Sequence, residues 1–376
     1  FLDSPEFFGS RNSIYDDPIS GDPYPDNDER FILLSRSVFE LINKLGWVPD
    51  IIHSNDWQCG LVPVYLKTLY NNDPNMEGIK SLYTIHNMSY QGEFPAASFS
   101  KTGLPDELKN EKGALHNGKL NFMKAGLLYA DAINTVSERY AAEVCKDDEV
   151  GAGLKSVLSK RKSDLFGIIN GIDVNAWNPE KDKSIPKKYS IKTLEKREEN
   201  KEFLAEKFGF TYSENTPIIG LITRLLDNKG IDLLKEAFPA LMKMNLQIIL
   251  LGTGDRKYHK FFDQMSKKHS DKFACYLGFN NELAHLIEAG ADIYLMPSKI
   301  EPCGLNQMYS LVYGAVPLVR ETGGLADTVV RFNEKSGDGN GFSFKDYSAD
   351  AMLKEIKRAL KIFEDKKTWL KIMKNG

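Results

Sequence analysis

Between Leu295 and Val329 the sequence LMPSKIEPCGLNQMYSLVYGAVPLVRETGGLADTV fits two strand-loop-helix patterns into one short stretch, and a chain with that rhythm has few folds open to it. Ile293 to Pro297 is an apolar run that ends at a proline, as a buried parallel strand does. Leu305, Met308, Leu311 and Val312 then fall at three-and-four spacing, which predicts a helix starting near Gly304. Ala315 to Val319 reads as a second buried strand, and Thr322-Gly323-Gly324 opens a second helix at Leu325. Successive units of this kind build an open parallel sheet, whose ligands bind at the carboxyl ends of the strands.

The loop after the first strand carries Glu301, set beside helix N-terminal amides that form a partly positive pocket for an anion or a sugar hydroxyl. Gly304 would let a ligand approach the backbone, and Gly323-Gly324 repeats the arrangement. The plain alternative is an ordinary loop carboxylate with turn glycines, because a single glycine loop is a weak signal. The adjacency of two such loops is what favours a site.

Residues 1–30 are rich in Pro, Gly, Asp, Asn and Ser and predict an irregular segment or a flap. Asp26-Asn27-Asp28 has the D-x-D form that holds a divalent ion in many glycosyltransferases, but acidic turn residues ahead of a helix also cap it. That helix is expected from about Glu29 to Leu45. Three strand-and-helix units follow: Asp50 to His53 with a helix through Leu69, Ile79 to Ile85 with a long loop and a helix near Leu120 to Tyr129, and Ala132 to Val136 with a helix after Ser137. The alternation predicts a parallel sheet with helices on both faces. Asp56, His86 and Ser137 each sit just past a strand end, where side chains of the three units can meet. Singly, Asp56 reads equally as a helix cap and His86 as a hydrogen-bonded core histidine.

Phe166 to Ile169 is a further short strand, and the domain boundary is placed beside it, giving domains of residues 1–167 and 168–376. Lys181 to Glu206 is charged and reads as a solvated crossing and surface helix. A second alternating series has strands at Pro217 to Ile222, Leu246 to Leu251, Phe273 to Leu277, Ile293 to Met296 and Val316 to Val319. Arg224 and Lys229 follow its first strand and could bracket a diphosphate, one as a planar fork and the other as a point charge; taken alone, they are two exposed loop cations. One last helix is expected from Ala349 to about Lys374.

With 376 residues and 42% hydrophobic content the chain can bury two cores, and a net charge of -3 argues against a basic nucleic-acid surface. Cys59, Cys145, Cys275 and Cys303 are far apart, so neither a disulfide framework nor a zinc site is expected, and a reducing cytoplasm is the simplest home. No signal peptide and no long apolar stretch appears, so the chain reads as soluble with no membrane partner. It opens on Phe1, which reads as a fragment, a processed form or a partial gene product.

Two facing doubly wound domains would hold Asp56 and His86 on one wall of a cleft, and Arg224, Lys229, Glu301 and Gly323-Gly324 on the other. Cations and amides suit a nucleotide diphosphate leaving a sugar's anomeric carbon, stabilised without a metal by Arg224, Lys229 and the amides near Gly324. Glu301 would hydrogen-bond the donor sugar and balance oxocarbenium character.

EPCGL at 301–305 and TGGLADT at 322–328 closely resemble the nucleotide-sugar-binding segment of bacterial glycogen synthases and plant starch synthases. DNDERF at 26–31, HSNDWQ at 53–58, YTIHNMSYQG at 83–92, NTVSERYA at 134–141, INGID at 169–173, TRLLDNKG at 223–230 and LAHLIEAGADIYLMPS at 283–298 extend the resemblance along nearly the whole chain. It implies an α/β fold of the GT-B type, two Rossmann-like doubly wound domains facing across a cleft. It implies retaining transfer of glucose from ADP-glucose to the non-reducing end of an α-1,4-glucan, glycogen or starch, with no essential metal or other cofactor, in the cytoplasm or, in a plant, the plastid. Asp56 and His86 look like the family's acceptor-domain residues at the glucose, Arg224 and Lys229 its diphosphate pair, and Glu301 its glucose-facing carboxylate. Asn170 resembles the hinge residue that reaches the donor, and Tyr15 a tyrosine near it. Cys303, Gly304, Leu305, Thr322, Gly323 and Gly324 come with the motif as substrate-binding positions.

Departures from the pattern are informative. Phe279 stands where the family often stacks a tyrosine on adenine, and Tyr309 stands where sucrose-type relatives carry a second glutamate. The family's Lys-x-Gly-Gly-Leu loop is not in this sequence, so the first strand and glycine loop of the N-terminal domain and the terminal helices of the other are expected to be missing. A truncated or decayed protein that binds glucan or nucleotide without turnover is the alternative.

Overall fold

A computed structural model describes residues 2–376 and divides the chain into two compact units, Phe1–Ile168 and Ile169–Gly376.

In the first unit, β1 (Ile51–Asn55), β2 (Lys80–Ile85), β6 (Ala132–Thr135) and β7 (Leu165–Gly167) form a parallel sheet in that order. Its helices are α1 (Asn27–Leu45), α2 (Val62–Lys67), α3 (Phe99–Thr102), α4 (Phe122–Tyr129), α5 (Glu138–Val144) and α6 (Lys155–Lys160). Phe31, Phe39 and Ile42 of α1 join Val64 and Tyr65 of α2 and Phe122 of α4 in one core against Ile52 of β1. The long loop expected after β2 contains a small antiparallel sheet of β3 (Glu93–Pro95), β4 (Leu115–His116) and β5 (Lys119–Asn121). Strands this short carry too few alternating residues to stand out in a sequence. Helices on both sheet faces were also expected here, but Ile51, His53 and Asn55 of β1 and Phe166 of β7 are exposed, so the outer strands are covered on one face only.

The D-x-D acids are each paired with a basic side chain of the same unit. Asp26 pairs with Arg11 at 2.6 Å, and buried Asp28 accepts from Lys101 at 2.9 Å.

The second unit is a six-stranded, all-parallel sheet in the order β10-β9-β8-β11-β12-β13. Its strands are β8 (Ile218–Ile222), β9 (Gln247–Gly252), β10 (Phe273–Leu277), β11 (Ile293–Met296), β12 (Val316–Arg320) and β13 (Phe342–Phe344). Its helices are α7 (Arg197–Lys207), α8 (Ile231–Leu241), α9 (Arg256–Lys268), α10 (Asn281–Gly290), α11 (Asn306–Tyr313), α12 (Gly323–Thr328), α13 (Ala349–Phe363) and α14 (Lys366–Asn375). Strand alternation divides the core. Ile219, Leu221, Ile248 and Leu250 face α8, α9 and α13, while Ile218, Ile249 and Leu251 face α7 and α10. This unit is doubly wound as expected.

Three details depart from the sequence reading. β13, whose three residues are all buried, was not foreseen. The last helix is two, broken at Asp365, whose carboxylate accepts the backbone N–H groups of Lys367 and Thr368 and so caps α14. The charged segment before β8 is not simply solvated: α7 buries Arg197, Asn200, Lys201, Leu204 and Ala205. Lys201 lies 3.2 Å from Asp292, and the Arg197 guanidinium donates to the backbone carbonyls of Tyr313, Glu288 and Ala291. Long cationic stems can be buried when their heads find such partners.

Glu288 of α10 is fully buried, and neither carboxylate oxygen has a hydrogen-bond partner. Burial pushes its pKa well above the usual carboxylate value, against the opposing field of Arg197. The folded chain therefore keeps a proton that the unfolded chain loses near pH 4.3, so stability is full below that pH and declines as pH rises toward the folded pKa. Glu288→Gln removes this decline. Its melting temperature is expected to match that of wild type near pH 4 and exceed it at pH 8, the underlying stability difference growing by about 1.4 kcal/mol for each pH unit of the window. Parallel melting curves across that range would contradict the assignment.

Candidate active site

In the second unit the chain runs outward from β8 in opposite directions, through β9 to β10 and through β11 to β13, so the topological switch lies between β8 and β11. These strands pair only at Ile293–Ile219 and Tyr294–Gly220, then part toward their carboxyl ends. Side chains bridge the opening. The buried Tyr294 hydroxyl accepts the Ile222 N–H at 3.1 Å, and Asn306 Nδ2 donates to that hydroxyl at 2.6 Å and to the Ile222 carbonyl at 3.0 Å. The loops that leave this crevice, 223–230 and 297–305, carry most of the expected residues. Such a crevice is where open α/β sheets take ligands.

Glu301 is buried, and Lys229 Nζ donates to both its oxygens at 2.8 and 2.7 Å, while Ser298 Oγ donates to Oε2 at 3.0 Å. Two of the three Lys229 N–H donors are thereby engaged, so Lys229 is an ion-pair partner of Glu301 on the loop that also carries Arg224. Arg224 is exposed. Its loop is fastened to the glycine turn after β9, because Leu225 N–H donates to the Thr253 carbonyl at 2.8 Å and Asp255 N–H to the Leu225 carbonyl at 3.0 Å. Lys299 N–H donates to the Asn228 carbonyl at 2.9 Å, tying the two crevice loops together. Arg320 donates to the carbonyls of Ser298 and Lys299, holding the Glu301 loop from the other side.

The glycines act through close packing. A Cβ on Gly323, at φ 43°, would run into the Glu301 carbonyl, and one on Gly324 into the Cys303 backbone. The Gly324 N–H donates to the carbonyls of Glu301 and Pro302 at 3.2 and 3.1 Å. This corrects the expectation of anion-binding amides near Gly324: that amide locks the Glu301 loop, and α12 is only 6 residues long. Thr322, just ahead of α12, is buried. Gly304 sits at φ 71°, and Leu305 beyond it is exposed, so α11 begins at Asn306. Gln307 Nε2 braces the same turn by donating to the carbonyls of Cys303 and Gly304 at 3.1 and 2.9 Å.

Cys303 is buried, which pushes its thiol pKa up, and the Asn170 backbone N–H reaches that thiol. Asn170 therefore lies beside the turn that follows Glu301. Phe279 projects into solvent at 87% exposure in the loop after β10, next to Asn280, whose side chain caps α10. Tyr309 lies on α11 with its ring stacked on Trp177 at 4.0 Å.

In the first unit Asp56 follows β1 with φ 54° and ψ -175°, a conformation that is costly for a side-chain-bearing residue and is kept where the surroundings enforce it. The cap alternative fails for Asp56, whose carboxylate makes no cap bond and instead accepts the His86 N–H at 2.8 Å. Burial raises its pKa against the hydrogen bonds from the His86 and Asn87 backbone. His86 is only half-buried, with Nε2 3.0 Å from Asn55 Oδ1. Tyr15 packs on Trp57 at 5.9 Å, and its hydroxyl accepts from Gln58 Nε2 at 2.6 Å, so it joins the segment that follows Asp56. Ser137 is a cap: its Oγ accepts the Tyr140 N–H at 2.9 Å.

Sequence reasoning missed Ser298, Asn306, Arg320 and Trp177. Ser298 and Asn306 flank the recognised EPCGL string, and that adjacency was the available signal. Nothing local in the sequence marks Arg320 as a loop clamp.

A doubly wound sheet with a carboxylate-lysine pair, an arginine loop and packed glycines at its switch point, in a chain of two α/β units, defines a glycosyltransferase of the GT-B class. Residues 1–160 match the starch synthase catalytic domain and residues 202–375 the glycosyl transferases group 1 family. The chain is 45% identical over 377 residues to glycogen synthase of Thermosipho africanus, covering 100% of this chain and 76% of that protein. It is 45% identical over 376 residues to glycogen synthase of Anaeromyxobacter dehalogenans, covering 100% of this chain and 78% of that protein. Among solved structures, the catalytic domain of starch synthase IV from Arabidopsis thaliana bound to ADP and acarbose matches with a TM-score of 0.84 at 31% identity, covering 94% of this chain and 73% of that one. The chain belongs to the glycogen synthase and starch synthase family, and it is a hexosyltransferase.

Proposed function

We propose that the chain transfers glucose from ADP-glucose to the non-reducing end of an α-1,4-glucan, retaining the anomeric configuration. The observation that carries this reading is the buried Glu301–Lys229 pair beside the Arg224 loop at the β8/β11 crevice. Charge develops on the departing diphosphate, and Arg224 and Lys229 meet it as a planar fork and a point charge. Glu301 hydrogen-bonds the donor glucose, and its negative charge offsets the positive character growing at the anomeric carbon. Phe279 offers an open ring face to adenine, and Tyr309 on α11 serves the same donor site. Asn170, Cys303, Gly304, Leu305, Thr322, Gly323 and Gly324 shape the pocket for the sugar and phosphates.

In the first unit, Asp56 and His86 bind glucose hydroxyls, and Tyr15 packs on Trp57 in the segment that follows Asp56. Residues 1–167 are thus the acceptor-side domain and residues 168–376 the nucleotide-sugar domain. The reaction runs in the cytoplasm; among the described residues no helix is long and apolar enough to cross a membrane.

The test is transfer of labelled glucose onto glycogen from ADP-glucose or UDP-glucose, each with and without EDTA. Incorporation from ADP-glucose at least tenfold above that from UDP-glucose, unchanged by EDTA, is expected. ADP binding without incorporation from either donor would replace the synthase reading with that of a nucleotide-binding protein.

A further inference from the structure

We propose that Trp177 is a positioning residue for the donor site, holding Asn170 and the Cys303-Gly304 turn in register through a three-ring stack; this rests on the donor reading above. The Trp177 ring lies between His285 at 3.9 Å and Tyr309 at 4.0 Å, with interplanar angles of 3° and 7°. The three rings come from three segments: the stretch that begins at Asn170, helix α10 and helix α11.

Each ring is anchored. His285 is buried, with Nδ1 2.8 Å from Asp182 Oδ2, and the Tyr313 hydroxyl donates to the same oxygen at 2.6 Å. Trp177 is set by a tight turn, in which its N–H donates to the Asp173 carbonyl at 2.9 Å and Asp173 Oδ1 accepts the N–H groups of Asn175 and Ala176. Tyr309 rides on the helix that starts just after EPCGL. The stretch from Asn170 to Trp177 is therefore held at its far end by the Trp177 ring against α10 and α11, while its near end lies beside the Cys303 thiol.

Trp177 and Tyr309 are both only half-buried. Trp177 packs against the core beneath α7 and α10, and Tyr309 lies on the helix that follows the Cys303-Gly304 turn, so the stack joins that core to the donor loop. Loss of the middle ring frees the Asn170 stretch and lets Tyr309 and the Cys303-Gly304 turn shift. A small displacement of positioning groups weakens ligand binding without removing any group that touches the reacting atoms.

The experiment compares wild type, Trp177→Phe and Trp177→Leu by calorimetric ADP binding, the donor KM and kcat, the glucan KM and the melting temperature. Trp177→Phe keeps a stacking ring and is expected within threefold of wild type throughout. Trp177→Leu is expected to weaken ADP binding and raise the donor KM at least tenfold, with kcat within threefold and the glucan KM unchanged. His285→Leu removes the ring beneath Trp177 and carries the test if Trp177→Leu does not fold, with at least a threefold rise in the ADP Kd expected. A Trp177→Leu or His285→Leu protein that melts earlier but binds ADP like wild type overturns the proposal. So does a Trp177→Phe protein as impaired as Trp177→Leu. If wild type binds ADP but transfers no glucose, the synthase reading falls and the ADP-binding comparison still decides the role of Trp177.

Discussion

Glu301→Gln is expected to lower kcat by about 10²–10³-fold while leaving ADP affinity equal to that of wild type or slightly tighter. The substitution keeps the side chain's shape and its acceptor oxygen for Ser298, so the loop remains held by Arg320 and by the Gly324 amide. What disappears is the negative charge that offsets oxocarbenium character, an interaction stronger in the transition state than in the ground state and hence felt in kcat. Lys229 is at the same time released from an ion pair with N–O distances of 2.7 and 2.8 Å, and its full charge becomes available to the diphosphate. Steady-state kinetics with ADP-glucose, paired with calorimetric ADP titration, separates these effects. A parallel loss of ADP binding and kcat would mean that Glu301 serves the loop's architecture and not the glucosyl group.

Removing the cations should act on the other side of the same bond. Arg224→Ala is expected to reduce kcat/KM for the donor by about 100-fold, close to 2.7 kcal/mol, because a planar fork opposite a phosphate is a charge-assisted contact that strengthens as charge develops. Arg224→Lys should recover only part of it, since a point charge replaces two parallel donors. Lys229→Ala carries an added cost, as it strands the buried Glu301 carboxylate without its ion-pair partner. Breaking such a pair costs about 3–5 kcal/mol of stability. The double variant Lys229→Met with Glu301→Gln removes that penalty, and its comparison with Glu301→Gln alone isolates the loss of the phosphate contact. Arg224→Ala with donor kinetics unchanged would remove the arginine loop from the site.

Apart from β13, the strands of the second sheet were legible as compact apolar runs: Ile218–Ile222 and Gln247–Gly252 are almost wholly buried and lie within a residue of where the apolar pattern puts them. What escaped the sequence was set by partners distant along the chain. α7 reads as solvated because its charges are visible, whereas the Asp292 carboxylate and the Tyr313 carbonyl that bury them lie far downstream. β3, β4 and β5 are pairings of two or three residues with no periodicity of their own. In the site, Glu301, Lys229 and Arg224 were each nameable from type and loop position, but the contact of Lys229 with Glu301 depends on where β8 and β11 part. The glycines were recognised for flexibility, yet Gly324 acts through a close backbone approach and a hydrogen bond. Trp177 lacked a signal altogether, since its two stacking partners lie more than one hundred residues away.

The central claim, retaining glucosyl transfer onto the non-reducing end of an α-1,4-glucan, is tested most directly by the bond the protein makes. Glycogen labelled with this chain and ADP-glucose is digested with an exo-acting hydrolase that cleaves only α-1,4 bonds, releasing maltose from non-reducing ends. Full recovery of the new label as maltose is the predicted result. Label that resists the digestion, or none incorporated at all, would contradict the account.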